Sequence, residues 1–201
     1  VCAGAETYRN FEYGVLDDGT VEITGYKGSE QKVDVPEKIN KKSVTRIGNL
    51  AFKNCTKITS IAMPDSVVYI GRSAFYNCTS LKSVTIPDGV KEIGYAAFSE
   101  CAGLVSVKIP DNVMQIGDSA FINCANLTKI DVTAGNKYYS SANGVLFDKD
   151  KSEIICYPAG IKNVGYSIPD GVTVIRDRAF NKCISLNSIT IPKSVQDIDT
   201  Y

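Results

Sequence analysis

The amino-acid sequence repeats itself with a period of 23 residues. Residues 86–101 read IPDGVKEIGYAAFSEC, and residues 109–124 read IPDNVMQIGDSAFINC. Self-similarity at a fixed period of about 20 to 50 residues is the signature of repeat architectures such as solenoids. This periodicity restricts the fold more than any other feature of the chain, because it predicts stacked copies of one small unit.

Several positions of the repeat hold the same kind of residue in successive copies. The phenylalanines are Phe52, Phe75, Phe98, Phe121 and Phe180, and alanine precedes each of them. Three places later stand Cys55, Cys78, Cys101, Cys124 and Cys183, and a proline closes most copies at Pro64, Pro87, Pro110 and Pro192. Glycine is less strict, since Arg176 stands at the position of Gly94, and we treat it as helpful but not required.

Each copy combines a strand pattern with a compact turn. Residues 83–87, SVTIP, alternate polar and apolar side chains and predict a short strand, which proline ends because it cannot donate to a ladder. Residues 95–101, YAAFSEC, predict one turn of α- or 3₁₀-helix that buries Phe98. A unit of this size cannot bury its apolar side chains alone, so we expect neighbouring units to stack and their strands to pair in parallel.

The repeat Cys-x-x-Leu-x-x-Val-x-Ile-Pro-x-x-Val-x-x-Ile-Gly-x-x-Ala-Phe resembles the BspA-like leucine-rich-repeat family, over about residues 33 to 201. The resemblance implies a right-handed leucine-rich-repeat solenoid of the α/β class, with short parallel strands and short helical or 3₁₀ turns. It also implies a surface or secreted bacterial protein that adheres to host proteins or to other cells.

Two segments depart from the simple repeat. Asp18-Gly19 lies between two alternating runs and predicts a β-hairpin, so we assign residues 8–35 to an N-terminal β-cap and residues 36–201 to the solenoid. One copy is enlarged at residues 133–168, where GVLF and EIICY flank the polar turn DKDK and predict a second hairpin. Residues 1–7 begin VCAGA, in which AGA resembles the end of an export leader, so we interpret this segment as a leader remnant or simply as the start of the chain.

The composition argues against several functional classes. Lys plus Arg and Asp plus Glu are both 22, so no net charge favours nucleic acid or an anionic membrane. The chain has no histidine, the commonest general base and metal ligand, and no long apolar run that could insert into a membrane. We therefore expect no enzymatic activity, no cofactor and no metal.

Two further candidates have ordinary explanations. The repeated cysteines are 23 residues apart, without the close pairs that zinc sites use, and we interpret them as small buried apolar residues in preference to disulfide partners. Residues 148–153, DKDKSE, faintly resemble a calcium loop, but Glu153 stands where such a loop needs glycine, which favours a hairpin turn.

The outward positions of the strands are the remaining candidate for function. We call them the strand face: Ser60, Ala62, Ser83, Thr85, Ser106, Lys108, Lys129, Asp131, Ser188 and Thr190. The face is small and polar, as solvated strands are, and solenoids present such faces as long, shallow and concave binding surfaces. The enlarged copy adds Tyr138, Tyr139 and Tyr157 at one edge, as partner contacts or as packing residues.

These observations give our functional hypotheses. The first is an exported, non-catalytic adhesion module that binds a host or cell-surface protein through Ser83, Thr85, Ser106, Lys108, Lys129, Asp131, Tyr138 and Tyr139. The alternatives are a glycan-binding module, which needs Tyr138 and Tyr139 exposed as a platform, and a spacer that displays another domain.

Overall fold

The computed structural model describes residues 6–199, and the chain winds into a β-solenoid of about eight turns. The strands are, in chain order, β1 (Glu6–Tyr8), β2 (Phe11–Val15), β3 (Val21–Tyr26), β4 (Lys32–Asp34), β5 (Lys38–Ile39), β6 (Lys42–Ile47), β7 (Ser60–Ala62), β8 (Tyr69–Ile70), β9 (Ser83–Val84), β10 (Glu92–Ile93), β11 (Ser106–Ile109), β12 (Gln115–Ile116), β13 (Lys129–Val132), β14 (Tyr139–Ala142), β15 (Val145–Asp148), β16 (Glu153–Cys156), β17 (Gly165–Ser167), β18 (Val174–Ile175), β19 (Ser188–Thr190) and β20 (Asp197–Ile198).

Each regular turn of the solenoid contributes two short strands. The first-leg strands β4, β7, β9, β11 and β13 pair in parallel, and β17 pairs in parallel with β19. The second-leg strands are β3, β6, β8, β10 and β12 in one sheet and β16, β18 and β20 in another, and they number turns 1 to 8. The parallel pairing of successive copies is therefore confirmed.

The segment around each repeated phenylalanine is not helical. No helix forms anywhere in residues 6–199, so the α/β class and the helical or 3₁₀ turns that we expected are wrong. In turns 2, 3, 4, 5 and 7, two residues of this segment have a positive φ, for example Ala96 at 52° and Glu100 at 62° in turn 4. A left-handed residue at this spacing interrupts a helical hydrogen-bond ladder. The chain instead makes successive tight turns.

Backbone hydrogen bonds between turns replace the helical ladder. The N–H of Phe75 donates to the carbonyl of Ala97 at 2.8 Å, and the N–H of Phe98 donates to the carbonyl of Ala120 at 2.8 Å. Because buried amides need partners, each turn is specified by the one stacked on it. Gly94 has no positive φ, but a Cβ there would lie 2.7 Å from the backbone of the preceding turn, so close stacking explains the glycine.

An aromatic column runs through the centre of the solenoid. The rings of Phe52, Phe75, Phe98 and Phe121 stack with centroid distances of 5.2, 5.1 and 5.7 Å. Burial of each such side chain contributes about 1.5–3 kcal/mol. The repetition of the sequence therefore builds one continuous apolar core.

Antiparallel strands cover the N-terminal end of this column. β1, β2 and β3 form a meander, and the Asp18-Gly19 hairpin turn is confirmed between β2 and β3. Tyr26 packs against the ring of Phe52, with the ring centroids 5.4 Å apart. Of the expected leader remnant, residues 1–5 lie outside the described residues, and Glu6 and Thr7 belong to β1.

The enlarged copy forms a three-stranded antiparallel meander. The predicted hairpin between β15 and β16 is confirmed, and β14 adds a strand that our sequence interpretation missed. Asn143 and Gly144 both have a positive φ, at 52° and 82°, in the turn between β14 and β15. Asn-Gly is a strong hairpin signal and would have predicted this strand.

The meander leaves a discontinuity between turn 5 and turn 6, which we call the seam. The second-leg sheet ends at β12 and resumes at β16, and the buried residues divide into two clusters at the same place. Arg176 connects the two sides: its guanidinium lies 2.7 Å from Glu153 and 3.8 Å from Asp118. On the second leg, the turns on either side of the seam are thus linked by side chains in place of strand pairing.

The seam should be visible in amide hydrogen exchange. The N–H groups of Ser119, Phe121 and Asn123 have no acceptor among residues 6–199, whereas the same positions in turns 2, 3 and 4 donate to the next turn. These residues line or adjoin a cleft of about 30 Å³ at the seam. We expect the three amides to exchange at least about tenfold faster than their equivalents in turn 4, by NMR-detected exchange. Equal protection of the two sets would contradict the seam.

Candidate binding surfaces

The first-leg sheet brings six of the eight predicted contact residues together. Ser83 stands opposite Ser60 on one side and Ser106 on the other, and Lys108 stands opposite Asp131. Thr85 follows β9 directly and is exposed. Since neighbouring parallel strands lie about 4.8 Å apart, these side chains form a continuous polar surface.

The charges on the strand face are sparse and partly paired. The ammonium group of Lys129 lies 2.7 Å from the carboxylate of Asp131, and both side chains are about half-exposed. Lys108 makes no ion pair within residues 6–199. An exposed pair contributes little to stability, so exchanging it for contacts with a partner would cost little.

The two tyrosines of the enlarged copy do not join the strand face. Tyr139 follows Ile116 by one repeat period, and its hydroxyl accepts a hydrogen bond from the N–H of Ile116 at 2.8 Å. Burial raises the pKa of the Tyr139 phenol. Among the described residues, no further strand pairs with β12 at this end of the second-leg sheet. The hydroxyl of Tyr139 therefore supplies the acceptor that a backbone carbonyl of the next strand would otherwise provide. Tyr139 is therefore a packing residue, and the expected two-tyrosine platform does not form.

Tyr157 is also a packing residue, and it occupies the phenylalanine position of turn 6. Its ring stacks on Phe180 with a centroid distance of 5.3 Å, and its backbone N–H donates to the carbonyl of Ala179 as the repeated phenylalanines do to theirs. Tyr157 is buried. A second aromatic stack thus forms beyond the seam.

Asn136 organises the enlarged copy, and our sequence interpretation missed it. It follows the buried Val113 by one repeat period and is itself fully buried. Its side-chain amide donates to the carbonyls of Pro110 and Val113 at 2.8 and 3.0 Å, and its oxygen accepts from the N–H groups of Tyr138 and Tyr139 at 2.8 Å each. The sequence does contain a signal for this role, because Asn136 is a polar residue at a position where other copies have a buried valine.

Tyr138 points outward, as strand alternation requires next to the inward Tyr139. It is 47% exposed. It borders a shallow hollow of about 390 Å³, which is also lined by Lys91, Asp111, Asn112, Met114, Gly135 and Lys137. This hollow is separate from the strand face.

The repeated cysteines serve the stacking of the turns. All six cysteines within residues 6–199 are free thiols. The thiol of Cys78 donates to the carbonyl of Phe52, and that of Cys101 to the carbonyl of Phe75, both at 3.1 Å. Burial raises the pKa of Cys55 and that of Cys183, each to about 11. Thiolate chemistry is therefore disfavoured in this column.

The polar turn of the second hairpin uses its acidic group locally. One oxygen of Asp148 accepts from the N–H of Glu153 at 2.8 Å, and the other accepts from the hydroxyl of Ser152 at 2.6 Å. These bonds close the turn between β15 and β16.

In the part of the chain that the structure describes, no helix has the length and apolarity needed to cross a membrane.

Comparison with known proteins places this architecture among bacterial repeat proteins. Residues 31–143 and 157–201 match the BspA type leucine-rich repeat region, in six copies. No curated protein matches the chain.

Solved structures share the fold. A leucine-rich repeat protein from Eubacterium ventriosum is 23% identical with a TM-score of 0.72, and the match covers 96% of this chain and 61% of that one. One from Bacteroides ovatus is 27% identical with a TM-score of 0.67, over 96% and 55%. The pneumococcal vaccine antigen PcpA is 20% identical with a TM-score of 0.57, over 96% and 71%. The chain thus spans about three fifths of the first and about half of the second.

Proposed function

Because this chain belongs to the family of BspA-type leucine-rich repeat proteins, we propose that it is a non-catalytic module that binds a protein partner on its strand face. The partner would be a host extracellular protein or a protein of another cell. Leucine-rich repeat domains typically mediate protein interactions.

The register of the strand face is the observation that supports this proposal most. Ser60, Ser83 and Ser106 lie directly opposite one another on neighbouring strands. Their positions are fixed by a continuous buried core beneath them. A surface that is already ordered loses little conformational entropy on binding, so many weak polar contacts can add up to useful affinity.

A catalytic role has little support in the same surface. The family and the fold are generally non-catalytic. The chain contains no histidine to act as a general base for its many hydroxyl groups. Lys129 and Asp131 pair with each other, and both side chains are about half-exposed to solvent. A shallow face of this kind suits recognition better than it suits exclusion of water from a reaction.

We also propose that the chain acts outside the cell or on its surface. The small residues Ala3, Gly4 and Ala5 resemble the end of an export leader, which supports this location. PcpA, which shares the fold, is a pneumococcal vaccine antigen, and a vaccine antigen has to be accessible from outside the cell.

The proposal is tested by a binding screen with a blocked strand face. We expect the wild-type chain to bind at least one protein in a panel of extracellular-matrix and cell-surface proteins, measured by surface plasmon resonance. Ser83→Arg places a long cation in the middle of the face and should weaken that binding by about tenfold or more. The side chain of Ser83 is exposed, so the substitution should leave the fold intact.

Thr79→Arg is the matched control. Thr79 is a small, exposed hydroxyl residue of the same copy, located in the turn before the strand. Its replacement should change the affinity less than about twofold. Equal losses in the two variants would overturn the strand face as the binding surface. If the chain bound no protein in the panel saturably, the spacer function would be favoured instead.

A further inference from the structure

We propose that the hollow beside Tyr138 is a carbohydrate-binding site, distinct from the strand face. The hollow lies where the start of the enlarged copy stacks on the preceding turn. It exists because this copy departs from the repeat, and its lining combines an exposed aromatic ring with hydrogen-bonding groups of both kinds.

Small residues of the enlarged copy create the hollow. Four copies carry aspartate and then serine, glycine or asparagine after the proline, at residues 65–66, 88–89, 111–112 and 170–171, whereas the enlarged copy has Ala134 and Gly135 at these positions. A Cβ on Gly135 would lie 2.3 Å from the carboxylate of Asp111. A larger residue would thus crowd the acidic group. A second hollow of about 450 Å³ shares Asp111, Asn112 and Gly135 with the first, but it reaches Lys108 of the strand face and is not part of the proposed site.

The wall that carries Tyr138 is held rigidly. The backbone N–H of Tyr138 donates to the buried side chain of Asn136, and the ammonium group of Lys149 donates to the carbonyl of Asn136. Rigid elements position a binding group more reliably than mobile loops. The ring of Tyr138 therefore has a fixed base, although nearly half of its surface is exposed.

The polar groups around the ring include free acceptors and free donors. One oxygen of Asp111 accepts from the hydroxyl of Thr133, and no described residue donates to the other. Asn112 uses its amide nitrogen on the carbonyl of Asp88 and keeps its oxygen free as an acceptor. The ammonium groups of Lys91 and Lys137, which make no ion pair within residues 6–199, supply donors.

This combination fits a sugar better than an ion or a peptide. Sugar hydroxyl groups need acceptors and donors together, and the apolar face of a sugar ring can lie against Tyr138, with the thioether of Met114 beside it. The lining mixes lysines with Asp111, so it does not select strongly for an anion. The hollow beside Tyr138, at about 390 Å³, lies within the size range of small-molecule sites, about 300–1,000 Å³.

The test is a carbohydrate-binding screen of the intact chain. The probes are short oligomers of glucose, galactose, mannose and N-acetylglucosamine, titrated to about 10 mM, because shallow sites bind sugars weakly. We expect saturable binding of at least one oligomer, with chemical-shift changes at the amides of Asp111, Gly135 and Tyr138. Tyr138→Ala should weaken binding by about tenfold or more, and Tyr138→Phe should retain it within about threefold.

Tyr95→Ala is the matched control, because Tyr95 is 43% exposed and does not line the hollow. It should leave sugar binding within about twofold of wild type. Saturable binding of none of the oligomers, or binding that Tyr138→Ala leaves unchanged, would overturn the site. Ser83→Arg should not affect sugar binding, so this test and that of the strand face can fail independently.

Discussion

Replacing Asn136 by valine is expected to lower the free energy of unfolding by about 2–4 kcal/mol, although valine is the residue that the repeat itself uses at this position. Val67, Val90 and Val113 are fully buried there. Asn136→Val removes the acceptor for the N–H groups of Tyr138 and Tyr139 and the donor for two carbonyls of the preceding turn. Buried polar groups left without a partner cost more than the gain from an apolar side chain.

Urea unfolding followed by far-ultraviolet circular dichroism would measure this loss. Asn112→Ala is the control, because Asn112 is exposed and makes a single side-chain hydrogen bond to the backbone of the preceding turn. It should cost less than about 1 kcal/mol. If Asn136→Val proved as stable as the wild type, hydrogen bonding at this site would not govern the enlarged copy.

Replacing Phe98 by alanine is expected to cost about 3–5 kcal/mol of unfolding free energy, the largest effect we predict for a single substitution. Phe98 is fully buried, and its ring stacks on Phe75 and Phe121 at 5.1 and 5.7 Å. The substitution leaves a cavity in the middle of the column. Because each turn of a solenoid contacts only its neighbours, the loss falls on both adjoining interfaces.

Phe180→Ala provides the comparison near the C-terminal end. Phe180 is only half-buried and stacks on Tyr157 at 5.3 Å. We expect it to cost at most about half as much as Phe98→Ala, since partial burial leaves less apolar area to lose. Equal unfolding free energies for the two variants, measured in urea, would contradict a column whose contribution depends on burial by both neighbours.

Much of the fold follows from local patterns in the sequence. The alternation in SVTIP predicts first-leg strands such as β9 and β11, the Asp18-Gly19 pair predicts a hairpin turn, and the 23-residue period predicts stacking in parallel. These features depend on the residues of one unit and on the need of each unit to cover its apolar side. Each copy of the repeat contains the residues that determine them.

The turn around each phenylalanine could not be read in the same way. The spacing of Ala97, Phe98 and Cys101 suits one helical turn as well as two left-handed residues in a tight turn. The choice is made by the amide of Phe98, which bonds to Ala120 of the next turn. A contact between residues of different copies decides it, and a local pattern cannot show that contact.

For the candidate surfaces too, some features follow from the sequence and others depend on contacts between turns. The sequence by itself determined the stacked repeat and the outward register of Ser83 and Ser106, because alternation along a strand fixes which side chains face away from the core. Only the tertiary structure decided that Tyr139 packs against the preceding turn while Tyr138 is exposed to solvent, and that Asn136 is buried. The physical reason is that each unpaired polar group at the enlarged copy must find a partner in a neighbouring turn, and stacking alone determines which partner lies within reach.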